Sequence, residues 1–346
     1  MVFELTDSLI DERVIKSKVH KDSLHNLFLG FEEGNLILSM SPDLLNFLGN
    51  GLDDTLSKRV INRLQNSVLA HYDVLWQTKV VLDNPDSDNH ELSIDFFRNS
   101  SAIQPPILLC ENLNDTRFYF ALCEEFFGID IINTKNGQGG GGSSTADNLE
   151  QIVNNKDRFC LCIVDSDVKY PGCEDGGTYA AILNKKMDPH PSYEVCKLAV
   201  HEIENLIPKK IIGKHIKGKR NREFSKRLMD VDDNGDILKY YDIKDGIKLS
   251  VIKNHAGYYQ FASNLFERLK KPNGRQSFEE YLAILNRKKC DEVFAPRSPG
   301  ILETFLNIDV RYNERFVYCD YLREEWDRIK SIIVTFFCAR QEDPIN

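Results

Sequence analysis

The sequence lacks the cysteine and histidine spacings that hold structural zinc. Nine cysteines occur among 346 residues, but no two form a CxxC pair, and no His-x₃₋₅-His follows such a pair. Cys110, Cys160 and Cys162 lie in apolar runs, where cysteine behaves as a small buried hydrophobic residue. These absences exclude a zinc ribbon and predict a protein with reduced thiols.

Long hydrophobic runs are also missing. No stretch of 18 apolar residues occurs, and the first residues are charged and contain no apolar signal core. We therefore expect a cytoplasmic protein with no membrane partner. The sequence has no Gly-Lys-Ser/Thr motif, which excludes a P-loop ATPase. Gly137-x-Gly139-x-x-Gly142 matches the dinucleotide fingerprint, but it follows a second predicted strand, which favours a flexible or phosphate-binding turn.

The composition is that of an ordinary globular protein. Hydrophobic residues make up 42% of the chain, charged residues 28%, and the net charge is −9. An acidic balance argues only weakly against nucleic acid, because a carboxylate site is acidic until metal fills it. The length predicts more than one domain. We divide the chain into an α+β region of unknown role (1–104), a central α/β region (105–208) and a mainly helical region with a basic start (209–346).

The central region alternates predicted strands with predicted helices. Strands are expected at Ile107–Cys110, Ile129–Asn133 and Phe159–Val164, and helices at Asp115–Phe127 and from Thr145 onward. Strands that are apolar on both faces and alternate with helices are typical of a parallel sheet covered on both sides. The sequence therefore predicts an α/β fold.

Carboxylates follow two of these predicted strands. Glu111 and Asp115 come after the first strand, and Asp165 and Asp167 come directly after the third. Ligands bind at the carboxyl ends of parallel strands. An extended backbone would also point Asp165 and Asp167 the same way. A helix cap or a turn is the alternative role for any one of these acids, and for Asp115 both roles stay open.

Crowded carboxylates predict a divalent cation. Their mutual repulsion raises their pKa values, and a bound cation removes that cost. Oxygen ligands completed by water suit Mg²⁺ or Mn²⁺. We therefore expect Mg²⁺, or Mn²⁺, as the cofactor.

Three segments together resemble a Toprim domain. They are Ile107-Leu-Leu-Cys-Glu-Asn-Leu-Asn-Asp115, Gly139-Gly-Gly-Gly-Ser-Ser144 and Cys162-Ile-Val-Asp-Ser-Asp167. The order is a Glu after strand one, a glycine-rich turn after strand two and Asp-x-Asp after strand three. The sequence departs from the family at Asn112, where glycine is common. The resemblance spans residues 105–208 and implies a Toprim-like parallel sheet.

A further segment is similar to the Toprim nucleases of the OLD type. After a strand expected over about 193–200, Val200-His-Glu-Ile-Glu-Asn205 resembles their Glu-Ile-Glu-Asn segment. The acids here have a helix N-terminus as their alternative role, above all Glu202. The resemblance implies catalysis by Glu111, Asp165, Asp167 and Lys244, with Lys248 as the alternative cation. The metal ligands it implies are Glu111, Asp115, Asp165, Asp167, Glu202 and Glu204.

The implied activity is that of a metal-dependent endonuclease acting on phosphodiester bonds of DNA or RNA. Single-chain Toprim nucleases without their own ATPase resemble effectors of anti-phage defence, which often work beside an ABC-type ATPase. A homo-oligomer is compatible with this expectation. Topoisomerase is disfavoured because the chain is too short for a DNA gate, and primase because there is no zinc ribbon. The alternative is a Toprim-like module that binds a nucleotide or a partner without catalysis.

A basic run follows the central region. Nine lysines and arginines lie between Lys209 and Arg227, against the single acid Glu223. Such a run is often only a solvated surface, but here it directly follows the expected catalytic edge. We predict that it tracks a phosphate backbone, so affinity should fall steeply with salt. The residues chosen for this contact are Lys214, Lys217, Lys219, Arg220 and Arg222.

One further motif offers an alternative metal site. Asp230-x-Asp232-x-Asn234-Gly235 resembles the start of an EF-hand loop, but position 12 is Tyr241 in place of the bidentate Glu that calcium needs. The sequence therefore favours a hairpin turn here.

Overall fold

The structure is a computed structural model that describes most of the chain. The described residues are 1–66, 75–127, 136–155, 158–215, 226–228, 230, 232, 235–269, 276–294, 300–308, 316 and 320–337. The α-helices among them are α1 Glu12–Lys16, α2 Lys18–Glu32, α3 Pro42–Gly51, α4 Thr55–Asn66, α5 Leu113–Phe127, α6 Thr145–Asn155, α7 Gly177–Asn184, α8 Lys209–His215, α9 Leu249–Ile252, α10 Ala256–Leu269, α11 Phe278–Arg287, α12 Ile301–Leu306 and α13 Asp320–Phe337.

The described strands form two four-stranded sheets and one two-stranded sheet. The strands are β1 Val2–Leu5, β2 Ile37–Met40, β3 Thr78–Val81, β4 Glu91–Ser93, β5 Ile107–Cys110, β6 Gly137–Gly139, β7 Cys160–Val164, β8 Tyr193–Lys197, β9 Ile247–Lys248 and β10 Glu292–Phe294. The sheet orders are β2-β1-β3-β4 and β6-β5-β7-β8, and β9 pairs with β10 in antiparallel fashion. The expected α/β class with parallel sheets is confirmed.

The chain forms two compact units, and each unit is built from segments that are separated in the sequence. The first unit contains 1–163, 181–196 and 328–346, and the second contains 164–180 and 197–327. The division of the sequence into regions 1–104, 105–208 and 209–346 stays a prediction.

The first sheet is built from strands that are parallel throughout. β1 lies in register with β2 and β3, and β3 with β4. Val2, Phe3 and Leu5 of β1 are at most 5% exposed, as expected for a central strand that is covered on both faces. Helix α2 presents Leu24, Leu27, Phe28 and Phe31 to the core, a spacing that places them on one side of a helix.

The second sheet has β5 at its centre, parallel to both β6 and β7. All four residues of β5 and all five of β7 are buried, which agrees with their apolar sequences. Strand β5 has the bounds expected from the sequence, and β7 begins one residue later than expected. The expected strand Ile129–Asn133 lies outside the described residues.

The glycine-rich segment is wrongly predicted as a loop throughout. Gly137–Gly139 forms β6, and the loop begins after it. A Cβ at Gly137 would overlap the side chain of Thr116, so only glycine allows this strand to lie against α5. The backbone N–H of Gly140 donates to Cys110 O (2.6 Å), and that of Gly141 to Glu111 O (3.0 Å). The loop is therefore fixed to the end of β5.

Most of the described C-terminal part is helical, as expected. Helices α10, α11 and α13 are the longest described elements of this part. No described helix combines the length and the apolar character needed to cross a membrane.

Candidate metal centre

The segment after β7 is held by three hydrogen bonds to residues 200–203. Asp165 Oδ1 accepts the N–H of Ile203 (3.0 Å). Ser166 is 2% exposed, and its hydroxyl donates to Val200 O (2.6 Å). The N–H of Asp167 donates to His201 O (2.8 Å). These bonds fix the Asp-Ser-Asp segment against residues 200–203.

The expectation that Asp165 and Asp167 share an extended backbone is wrong. Asp167 has φ 52°, in the left-handed region, so the chain turns here instead of continuing the strand. The turn is closed by the N–H of Gly176, which donates to Ser166 O (2.8 Å). A Cβ at Gly176 would overlap the carboxylate of Asp167. Asp167 is therefore positioned by this turn and by its contact with Gly176.

Glu202 and Glu204 lie at the start of a 3₁₀ helix, Ile203–Leu206, and are 7% and 4% exposed. The expected strand over about 193–200 ends earlier, at Lys197. The N–H of Ala199 donates to Glu325 Oε1 (2.8 Å), which takes this donor away from a sheet. The side chain of Asn205 accepts the N–H of Glu202 (2.9 Å). Both acids are therefore held on one short, buried element.

A turn that contains Asp232 packs against this element. The amide of Asn205 donates to Leu238 O (2.5 Å) and to Tyr241 O (2.8 Å). The carboxylate of Asp232 accepts the N–H groups of Ile237 (3.0 Å) and Leu238 (2.9 Å). Asp232 thus stabilises a turn, but no described strand flanks that turn, so the hairpin expected from the sequence is not seen among the described residues.

Lys244 provides the counter-charge for the two buried glutamates. Its ammonium lies 3.1 Å from Glu202 Oε2 and 3.0 Å from Glu204 Oε2. Burial works against the ammonium, but Glu204 and Glu202 outweigh it and raise the pKa of Lys244. The alternative cation, Lys248, pairs with the exposed Asp245 (2.8 Å).

His201 and Asp242 join this cluster, and sequence reasoning missed both. His201 is 3% exposed. Its Nε2 lies 3.9 Å from Asp242 Oδ2. The signals were weak: His201 directly precedes Glu202, and Asp242 lies two residues before Lys244. Only the turn that ends at Tyr241 brings the two parts of the chain together.

The acids of this cluster titrate differently. Burial, and then the neighbouring Glu204, raises the pKa of Glu202 to about 7. Burial acts in the same direction on Asp242, but the nearby imidazole of His201 and the N–H of Asp245, which donates to Asp242 Oδ1 (2.6 Å), outweigh it and lower the pKa of Asp242. The cluster therefore contains one carboxyl that ionises reluctantly and one that ionises readily.

The donor set fits a metal ion. One ligand atom from each of His201, Glu202 and Asp242 lies within 4.8 Å of the other two. His201 Nδ1 and Glu202 Oε1 are buried and have no hydrogen-bond partner among the described residues. Buried polar atoms normally find a partner, so two such atoms in one cluster indicate a missing ligand.

Glu111 and Asp115 belong to the first unit, whereas the other predicted ligands belong to the second. Asp115 is 8% exposed, and its Oδ2 accepts the N–H of Asn112 (2.9 Å). This bond gives Asp115 the structural role that the sequence left open, because it closes the turn after Glu111. Metal binding by Glu111 and Asp115 stays a prediction.

Four of the nine lysines and arginines of the basic run lie outside the described part of the chain. Lys214 lies in helix α8. Lys217, Lys219, Arg220 and Arg222 lie outside the described residues. Their contact with a phosphate backbone stays a prediction.

Comparisons with known proteins give this chain no relative: no family model, no curated protein and no solved structure matches it.

Proposed function

We propose that this protein is a metal-dependent nuclease that hydrolyses phosphodiester bonds, with a Toprim-like core. The observation that carries the proposal is the cluster of the buried His201, Glu202 and Glu204 with the half-buried Asp242, beside Asp165. Acids are rarely buried unless they are paired or bind a metal. The single ammonium of Lys244 serves two of them. A cation-binding role explains the excess of negative charge.

The residues of the chain would divide the chemistry among them. A bound divalent cation supplies Lewis-acid stabilisation of phosphoryl charge and a more acidic water. His201, Glu202 and Asp242 would hold it, and Asp165 and Asp167 would complete its shell or orient water. Lys244 carries a positive charge at neutral pH, so it could meet the negative charge that develops on the phosphate. Glu111 remains the predicted general base.

The ligand chemistry favours Mn²⁺ over Mg²⁺ at this cluster. Mg²⁺ selects oxygen ligands and retains its waters, whereas an imidazole such as His201 is a better ligand for later transition metals. Mn²⁺ accepts both kinds of donor. We therefore expect activity with Mn²⁺ to equal or exceed activity with Mg²⁺.

The test is cleavage of a substrate panel. Supercoiled plasmid, linear duplex, single strands and total tRNA would be incubated with Mg²⁺, Mn²⁺ or EDTA. Wild type should cleave at least one substrate only with metal. Asp165→Asn and Glu204→Gln should reduce the rate by about 100-fold or more, since the first removes a charged group from the metal shell and the second a carboxylate that pairs with Lys244. Glu111→Gln tests the prediction made from the sequence alone.

Asp245→Asn is the matched control. Its carboxylate is 65% exposed and pairs with Lys248 in the same loop as Lys244. It should retain wild-type rates. Cleavage that persists in EDTA, or that survives in both Asp165→Asn and Glu204→Gln, would contradict the proposal. Wild type may be assayed alone and with an ABC-type ATPase, because the resemblance suggests that such a partner supports activity.

A further inference from the structure

A cavity of about 360 Å³ opens within the first unit, beside the edge strand β8. One side is formed by Trp76 and His90, and the other includes Tyr193 and Glu194 of β8. Asp88 lies on its exposed rim. Among the described residues that line this cavity there is no lysine or arginine. The cavity therefore combines aromatic surface with uncompensated negative charge.

The aromatic side is ordered and uncharged. The indole of Trp76 stacks on the imidazole of His90, with ring centroids 4.6 Å apart and an interplanar angle of 9°. Trp76 also packs edge-on against Phe336. His90 is held at φ 54° at the end of a short 3₁₀ helix, where its N–H donates to Ser87 O (3.1 Å). Burial lowers the pKa of His90, so the ring is neutral at neutral pH.

The acidic side of the cavity contains the carboxylate of Glu194. Glu194 is half-buried, and burial raises the pKa of its carboxyl. Its hydrogen bond comes from the N–H of Val195, and no described lysine or arginine pairs with it. Nearby, the hydroxyl of Tyr193 donates to Asp188 O (2.9 Å), which fixes the position of the phenol ring. A ligand that enters here contacts a fixed aromatic surface and the carboxylate of Glu194, which can accept further hydrogen bonds.

We propose that this cavity binds a guanidinium group, carried either by an arginine side chain of a partner protein or by a free small molecule. A guanidinium is planar, stacks on aromatic rings and donates two parallel N–H groups to a carboxylate. Both surfaces of the cavity match these properties. A phosphate-bearing ligand would be repelled by Glu194 and Asp88. An ammonium has neither the plane nor the fork of donors.

The test uses the intrinsic fluorescence of Trp76 in the full chain. The sequence has two tryptophans. Trp326 is 3% exposed, so Trp326→Phe leaves Trp76 as the reporter. Nα-acetyl-arginine amide should change the emission saturably, with a Kd of about 1 mM or tighter. The corresponding lysine derivative should bind about 10-fold more weakly. Calorimetry on the wild-type chain checks that Trp326→Phe has not altered the cavity.

Variants and competing ligands make the test decisive. Glu194→Gln should weaken arginine binding by about 10-fold or more, and Glu12→Gln, which alters an exposed pair with Lys16, should not change it. An arginine-containing tetrapeptide that binds more tightly than the amide would identify a protein as the source, and equal affinity would identify a small molecule. No saturable response, equal binding by Glu194→Gln, or preferential binding of guanosine monophosphate would overturn the proposal.

Discussion

At the scale of single residues, the balance of charge around Lys244 governs the candidate site. One ammonium lies within about hydrogen-bond distance of two buried glutamates. Removal of one partner from a buried ion pair leaves an uncompensated charge, which costs far more than the pair contributes. Lys244 could be identified from the sequence as a candidate catalytic cation. Its role as the counter-ion of two buried glutamates depends on packing that the sequence does not reveal.

Lys244→Met should therefore destabilise the protein. We expect the free energy of unfolding to fall by about 2 kcal/mol at pH 7.5, less than for a fully buried pair because Lys244 is 44% exposed. Urea unfolding in EDTA measures this. Lys248→Met, whose partner Asp245 is exposed, should change the stability by less than about 0.5 kcal/mol. Equal effects of the two substitutions would contradict the role assigned to Lys244.

Glu202 should make stability depend on pH. The pKa of Glu202 is about 7 in the folded protein, against 4.5 for the unfolded side chain. Between these values the folded state holds a proton that the unfolded state has released, so stability falls as the pH rises from 4.5 to 7. The loss should reach up to about 3 kcal/mol.

The measurement is urea unfolding from pH 4.5 to 8 in EDTA. Glu202→Gln cannot ionise, so its stability should fall less over this range, and it should exceed wild type at pH 8. Glu303→Gln, in helix α12, is a control that should retain the wild-type slope. If the stability of Glu202→Gln depended on pH as steeply as that of wild type, another group would be responsible and the prediction would fail.

At the scale of elements, apolar strands were the easiest part to predict. β5 has the predicted bounds because an apolar run lies between Pro106 and the polar Glu111. β6 was missed because glycines carry no hydrophobic pattern, although the absence of a Cβ is what allows Gly137 to lie against Thr116. β1 was also missed, because a four-residue strand at the chain start offers too short a pattern.

The turn after β7 illustrates why the site itself was only partly predictable. The sequence placed Asp165 and Asp167 together at a strand end, but the left-handed conformation of Asp167 depends on hydrogen bonds to residues far along the chain. His201 and Asp242 were missed for the same reason, since a turn brings them together. Local sequence patterns predict helices and strands, whereas the arrangement of side chains in a site depends on tertiary contacts.

Gly176→Ala tests the importance of that turn. The new Cβ would overlap the carboxylate of Asp167, so one of them must move. We expect a loss of about 1–3 kcal/mol in stability and weaker binding of Mn²⁺. Gly177→Ala is the adjacent control, because nothing lies within 4 Å of its Cβ. Urea unfolding and Mn²⁺ titration of both variants measure the effects. Equal stability and equal Mn²⁺ affinity of Gly176→Ala and Gly177→Ala would contradict the assigned contact between Gly176 and Asp167.

At the scale of the whole molecule, the chain folds as two units that each draw on separated segments. The α/β class followed from the alternation of strands and helices. The first parallel sheet did not, because its strands have only three or four residues each. Function was inferred from acids at strand ends and from the resemblance to Toprim nucleases, and it stays a prediction.

The most direct test of the central claim is anomalous diffraction from crystals soaked in Mn²⁺. The proposal predicts a strong anomalous peak at about 2.1–2.3 Å from donor atoms of Glu202, Asp242 and His201. The peak should disappear in crystals of Asp242→Asn. Crystals that show manganese only at exposed carboxylates, with none at this cluster, would contradict the proposed metal centre.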